Sequence, residues 1–273
     1  MSDASTLRLT ILGCGSSPGV PRINGDWGAC DPHNPKNNRR RASLLVERIG
    51  PSGGKTVVVI DTGPDFRAQM IDAKVTQLDA VLYTHAHADH IHGIDDLRTY
   101  VTDNQALMDI YATATTQARL DESFGYCFVT PEGSNYPPIL KANEIDNETA
   151  FSISGAGGAI NFQPLSQRHG DIESLGFRIG DVAYCTDVSA FPEGSPEKLE
   201  NLDLLIIDAL QYRRHASHFS LEEALEWIER LQPKRAILTH MHIPLDYETV
   251  SAQVPDHVDP AYDGMQIEFL IKS

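Results

Sequence analysis

The chain has 273 residues, 41% of them hydrophobic and 22% charged, with a formal net charge of −16. That is enough chain for a sizeable buried core, and the acidic balance disfavours nonspecific binding to nucleic acid or anionic membranes. No stretch approaches the apolar length of a membrane span, and the polar opening "MSDASTLRLTILGCG" predicts no secretory signal. The four cysteines, Cys14, Cys30, Cys127 and Cys185, are far apart and unpaired in pattern, which argues against a disulfide framework and for a reducing cytoplasm. Cys30 with His33 offers two ligands, half of what a structural metal site needs, and no second cysteine pair completes it.

"LRLTILG" (7–13) reads as a strand, followed by a long Gly/Pro-rich loop, "GCGSSPGVPRINGDWGACDPHNPKNN". Ordered loops of that length tend to be functional. Residues 42–49 and 55–63 read as a strand pair joined by "GPSGG". "PDFRAQMIDAKV" starts with Pro and has helical periodicity. "LDAVLYTH" (78–85) is strand-like, "DHIHGIDDLRTYV" (89–101) is expected as one helix, "LMDIYAT" (107–113) as a strand and "TTQARLDESFGYCF" as a helix. Residues 129–150 give no clear assignment.

The second half repeats the alternation. Strands are expected at 159–169, in "LGFRIG", at 182–187 and at 202–210, the last apolar enough for a central strand. "SLEEALEWIERL" (220–231) is an amphipathic helix with Ser220 as N-cap and Glu223 completing a capping box. "KRAILTHMH" (234–242) and "MQIEFLI" close the pattern. Two mixed sheets packed face to face, with helices outside, would bury these runs. One domain over 1–273 is expected, because no linker composition divides the chain.

"THAHADHIHGIDDLR" (84–98) places His85, His87, Asp89 and His90 within six positions after an apolar run. Imidazole and carboxylate are ligands for zinc, manganese or iron. Four such groups left unpaired beside a core would cost about 1–3 kcal/mol each, so metal binding is the better reading. A pair of metals needs further ligands, and His169, Asp187 and His240 each follow an apolar run as His85 does. Taken singly, a His or Asp at a strand end is more often a polar residue at a turn.

The pattern "HxHxDH" followed by single His, Asp and His at strand ends resembles the metallo-β-lactamase superfamily. The resemblance implies an α/β fold, an αββα sandwich of two mixed sheets with outer helices. It also implies two divalent metal ions per chain, Mn or Zn and in some cases Fe. His85, His87 and His169 would hold one ion; Asp89, His90 and His240 would hold the other; Asp187 would bridge them. Asp61 in "VVIDTGPDF" would support the metal-binding loop. "LGCGSSPGVPR", "RRRASLLV", "DTGPDFR", "DHIHGIDDLR" and "RHASHFSLEEAL" together resemble the phosphoribosyl 1,2-cyclic phosphate phosphodiesterases of phosphonate breakdown. That branch places a catalytic His just before the helix expected at 220–231, which matches His218; two residues before the N-cap Ser220, it is expected at the mouth of that helix, outside the apolar strands. His215 is the alternative for that role and a candidate for binding substrate. The branch also has a cysteine-rich early loop holding a structural zinc, whereas here Cys30 is the only cysteine of the loop after Cys14, and Ile243 stands where a zinc-binding His is expected.

The expected function is therefore a dinuclear hydrolase of small, cyclic or linear phosphodiesters. A metal-bridging hydroxide would attack, with Asp89 orienting it and His218 as general acid. Arg168, and the arginines at 39–41, are candidates for holding a second phosphate or carboxylate. The partner expected is a small anionic phosphodiester, with no nucleic acid and no membrane; a homodimer is left open. A thioester hydrolase of the glyoxalase II type, another hydrolase of the same fold, or a non-enzymatic metal-binding scaffold would use the same ligands. A tRNA-processing nuclease would carry a basic arm, which is not visible.

Overall fold

The computed structural model describes residues 5–271. The first sheet takes β1 (Ser5–Gly13), β2 (Ser43–Ile49), β3 (Lys55–Ile60), β4 (Ala80–Leu82), β5 (Met108–Ala112) and β6 (Leu140–Glu144). The second takes β7 (Phe151–Ile153), β8 (Ile160–His169), β9 (Ile172–Ile179), β10 (Val182–Cys185), β11 (Leu204–Asp208), β12 (Arg235–Thr239) and β13 (Val258–Pro260). The chain then returns to the first sheet as β14 (Gln266–Ile271), so each sheet has seven strands, ordered β14-β1-β2-β3-β4-β5-β6 and β13-β12-β11-β10-β9-β8-β7. In each sheet the pairing is antiparallel at one side and parallel at the other; the parallel run begins at β3–β4 in the first and at β10–β11 in the second. This is the expected αββα sandwich of two mixed sheets.

Period-2 alternation decides which residues face which layer. On the first sheet Leu44, Val46, Val58, Ile60, Ala80 and Leu82 join the cluster that includes Phe162, Phe177 and Ile206 of the second sheet. Their neighbours Leu45, Val57, Val59 and Val81 point the other way, onto Phe66, Met70 and Leu120 of the covering helices. That is why these strands read as unbroken apolar runs: both faces are buried. β11 is the extreme case, with Leu204, Leu205, Ile206, Ile207 and Asp208 all at 0% exposure between β10 and β12.

The helices are α1 (Phe66–Asp72), α2 (Ala88–Ile91), α3 (Arg98–Asn104), α4 (Ala114–Phe124), α5 (Leu221–Leu231) and α6 (Tyr247–Ser251). α5 has the expected capping box: the Glu223 amide donates to Ser220 Oγ, and the Ser220 amide donates to Glu223 Oε2. The expected single helix over 89–101 is corrected. α2 is one turn, a 3₁₀ turn follows at Ile94–Leu97, and α3 starts afterwards. The break is at Gly93, whose amide donates to Thr62 O at 2.7 Å and where a Cβ would stand 2.3 Å from Gly63 O. The chain is pressed against the β3–α1 loop there, and a continuous helix does not fit. Four elements had no counterpart in the sequence reading: β6, β7, β13 and α6. β6 is an edge strand in which only Leu140 is buried, so "LKANE" carries no apolar pattern.

Candidate metal centre

The parallel strands bring their C-terminal ends to one edge of the sandwich, a common place for functional groups in α/β sheets. Asp61 follows β3, the 85–90 segment follows β4, and His169 ends β8. Asp187 follows β10, Asp208 ends β11 and His240 follows β12. Asp61, Asp187 and His240 have φ of 66°, 54° and 58°. Left-handed backbone at a non-glycine residue is costly, and such strain gathers at functional sites. Here each turn occurs just where a strand must present a side chain to the gap between the sheets.

The seven expected ligands are brought together. Donor atoms within 4.8 Å of one another form the groups His85–His87–His169, His85–His90–Asp187, Asp89–Asp187–His240 and His169–Asp187–His218. His169 Nε2 is 3.1 Å from His87 Nδ1. Two ligands of one tetrahedral zinc lie about 3.4 Å apart, given metal–nitrogen distances of about 2.1 Å. Asp187 Oδ2 is 3.2 Å from His90 Nε2 while its Oδ1 is 3.9 Å from His85 Nε2 and 3.7 Å from His169 Nε2. One carboxylate thus addresses both halves of the cluster.

The hydrogen bonds fix which nitrogen of each ring is free. Thr84 Oγ1 donates to Asp61 Oδ2 at 2.7 Å, so it accepts from His85 Nδ1–H at 3.0 Å. Asp61 Oδ2 also accepts from His90 Nδ1–H at 2.7 Å. His169 Nδ1–H donates to Ser217 O at 2.6 Å. Thr186 Oγ1 donates to Asp187 Oδ2 at 2.6 Å, which leaves its lone pair to His240 Nδ1–H at 3.4 Å. The Nε2 atoms of His85, His90 and His240 are therefore lone pairs, and all three are buried with no hydrogen-bond partner. Buried imidazole acceptors with nothing to accept are costly unless a cation completes them. The carboxylates make the same demand. Asp89 and Asp187 have no Arg or Lys partner among the described residues; imidazoles face them, with one hydroxyl each from Ser17 and Thr186. The donor set suits divalent metal.

Protonation follows from this arrangement. Burial holds His85, His169 and His240 below the usual imidazole range, which keeps them neutral. Burial opposes the charge on His90 as well, but Asp187, Asp61 and Asp89 together raise it well above that range. The pull of three carboxylates on His90 marks where the cluster demands positive charge, which a cation at its Nε2 would supply. Burial also works against ionised Asp187, yet His240, His90 and His85 hold it well below the carboxylate range.

Asp61 lies where a supporting residue should. Its carboxylate takes the Thr84 amide and hydroxyl and the His90 ring. His218 is not at an open helix mouth, as its sequence neighbourhood suggested. It is 8% exposed, its ring stacks on His240 at 4.7 Å and lies edge-on to His169 at 4.6 Å. Its Nδ1–H donates to Asp208 Oδ2 at 2.7 Å. His215 is exposed, and its Nδ1 accepts from the Ser217 amide. Arg168 is exposed and lies between buried Gln167 and His169 on β8, so alternation turns it to the opposite face from the cluster.

Asp208 is the residue sequence reasoning missed. Its signal was present: "LLIID" places an acid at the end of an apolar strand, as at Asp61 and Asp187. Its Oδ2 accepts from the Val188 amide at 3.0 Å as well as from His218, and burial pushes its pKa well up. Cys30 and His33 form no metal cluster among the described residues. Cys30 Sγ donates toward Ile243 O at 3.4 Å, in an apolar cluster with Val20 and Ile243, while His33 is exposed.

Residues 56–241 match the family described as "Beta-lactamase superfamily domain". The chain is 33% identical over 265 residues, 95% of its length, to an octanoyltransferase of Porphyromonas gingivalis (strain ATCC BAA-308 / W83), and it spans about half of that relative's length, 51%. It is 26% identical over 232 residues to a ribonuclease Z of Mycobacterium sp. (strain KMS), covering 73% of this chain and 80% of the relative. Among solved structures, a diphosphatase from the PhnP family superposes with a TM-score of 0.86 at 34% identity, covering 97% of this chain and 98% of the other. With the sandwich, the strand-end donors and these matches in agreement, the chain belongs to the metallo-β-lactamase superfamily and is PhnP-like within it.

Proposed function

We propose that the chain is a two-metal hydrolase of small phosphodiesters. The observation that carries this reading is the set of buried Nε2 lone pairs on His85, His90 and His240, facing Asp89 and Asp187, with His218 held beside them by Asp208. His85, His87 and His169 would hold one ion and Asp89, His90 and His240 the other, with Asp187 shared between them. Bound together, the two cations supply a nucleophile at neutral pH and neutralise charge on the phosphoryl oxygens. The chain's own residues do the rest. Asp89 orients the attacking water. Asp208 accepts from His218 Nδ1–H, which aims Nε2 at the cluster. A proton on that Nε2 goes to the leaving oxygen. Burial holds His218 below the imidazole range, with Asp187 and Asp89 opposing; an incoming phosphate adds negative charge and favours the protonated ring.

The diphosphatase neighbour supports phosphoryl chemistry, and the net charge of −16 weighs against long RNA substrates despite the ribonuclease Z relative. One observation favours a second reading, acyl thioester hydrolysis: the relative named for octanoyl transfer. Its activity belongs to a protein twice the length of the match, so it weighs less than the site. A panel of metal-loaded protein against 2′,3′-cyclic nucleotides, bis(p-nitrophenyl) phosphate, a tRNA precursor and acyl thioesters separates these. Turnover of small phosphodiesters above all others is expected; faster turnover of a thioester than of every phosphodiester would move the protein to the second reading.

A further inference from the structure

The arginines at 39–41 are all committed within the fold. Arg39 is buried against Asn37 Oδ1, Arg40 is bound to Asp72 at 2.6 Å, and Arg41 to Asp65 at 3.0 Å. Arg48 differs. On β2, Leu44 and Val46 face the gap between the two sheets, and alternation points Arg48 into the same gap. It stands across the ladder from Leu7 of β1, which belongs to the core between the sheets. Arg48 Nη1–H donates to Ala159 O, and the guanidinium packs against Gly158, where a Cβ would stand 3.2 Å from Arg48 Cζ and Nε. That contact buries Nε without a hydrogen-bond partner and leaves the rest of the fork open. A half-buried cation at a core-facing strand position is costly unless an anion meets it.

A cavity of about 480 Å³ opens beside this guanidinium. It lies at the end of the sandwich opposite the metal centre. Leu7, on its wall, is six residues before Gly13, or about 20 Å along β1 from the edge that carries the metal-binding donors. Its apolar wall is Leu7, Ile160, Ile179, Val182 and Phe269. The first four belong to the core between the sheets and Phe269 packs against it, so the cavity is an open end of that core. The carboxylates at its mouth already have partners: Asp181 has Arg178 at 3.2 Å, Asp203 has Lys234 at 2.6 Å and Glu268 has Arg8 at 2.7 Å. Among the described residues of the lining, Arg48 is the charge left without an opposite one.

An apolar slot with a single uncompensated cation in its wall is complementary to an amphipathic anion. The tail would take the place of water on the aliphatic wall, and a carboxylate would meet the open side of the guanidinium fork. The volume falls in the range of small-molecule sites, about 300–1,000 Å³. We propose that this cavity is a second ligand site, separate from the metal centre, that takes a straight-chain carboxylate with its tail against Leu7, Ile160 and Val182 and its headgroup on Arg48. The proposal does not rest on the phosphodiesterase reading, since no metal-binding residue lines the cavity.

The test is calorimetric titration of the zinc-loaded full chain with straight-chain carboxylates from acetate to decanoate, and with decylamine, which carries the same tail on a cation. Methyl NMR of the same samples locates the ligand. Each CH₂ added to the tail should tighten binding roughly 4-fold until the slot is full. Shifts should gather at the methyl groups of Leu7, Ile160, Ile179 and Val182, and decylamine should bind far more weakly than decanoate. Arg48→Gln should weaken decanoate by roughly 10–100-fold, and Arg48→Lys should restore part of that loss. The wild-type series decides the matter even if a variant fails to fold. No binding, equal affinity for decanoate and decylamine, no dependence on tail length, or shifts gathered at Val188 and Met241 beside the metal-binding donors would each overturn the site.

Discussion

At the scale of single residues the account rests on the division of labour between His218 and Asp208. Asp208 is fully buried and shares Oδ2 between the Val188 amide and the His218 ring. It touches no substrate, so it acts by fixing the ring. General acid help is typically worth about 10²–10⁴-fold. His218→Ala should lower kcat by that order on alkyl leaving groups, much less on nitrophenyl esters, and leave metal content unchanged; a loss independent of the leaving group would show that His218 is not the proton donor. Asp208→Asn should show the same leaving-group dependence at smaller size, because the ring remains but its orientation is looser. A stopped-flow comparison across a leaving-group series separates the two.

The elements explain how much could be read in advance. "HAHADH" was legible because four titratable groups beside an apolar strand have few bland explanations. His169, Asp187 and His240 were legible only as strand ends, and the same rule would have found Asp208 had it been applied to β11. The setting of His218 was misjudged: proximity to Ser220 suggested a helix mouth, whereas the Asp208 bond and the stacking on His240 draw it inside. The helix over 89–101 was misjudged because periodicity does not reveal a close backbone approach. Gly93→Ala should therefore destabilise by about 1–3 kcal/mol through overpacking against Gly63 O, read as a lower denaturant midpoint at constant slope; an unchanged midpoint would mean the break has another cause.

α6 offers a pH test at the same scale. Its N-cap Asp246 accepts from the Thr249 amide at 2.9 Å, from Asn37 Nδ2 at 2.7 Å and from the Asp31 amide at 3.2 Å. Burial works against the charge, but these donors bring the pKa from 3.8 to about 2. A depressed carboxylate binds protons less tightly folded than unfolded. Its contribution is thus complete above about pH 4 and is lost as the pH falls toward 2. Asp246→Ala should cost about 1 kcal/mol at pH 7, and the gap from wild type should close between pH 4 and 2. A gap that persists at pH 2 would assign the effect to packing instead.

For the whole molecule, the sandwich has concentrated Asp61, Asp89, Asp187 and Asp208 at one buried edge with imidazoles as their partners, and has placed its apolar mass on both sides of that edge. Metal binding should then be coupled to stability. At metal about 1,000-fold above its dissociation constant, one ion adds about 4 kcal/mol. For a chain of this size that is about 10 °C in Tm. Thermal scans before and after chelation should differ by at least that much, and an unchanged Tm would mean the edge is satisfied without metal. No helix among the described residues is long and apolar enough to cross a membrane.

The most direct test of the two-metal claim is the stoichiometry of bound metal, by elemental analysis of protein loaded to saturation and freed of excess ion. Wild type should hold two divalent ions per chain. His85→Ala and His240→Ala should each fall below two, the first by weakening the His87–His169 half and the second by weakening the Asp89–His90 half. One ion or none in the saturated wild type would contradict the account.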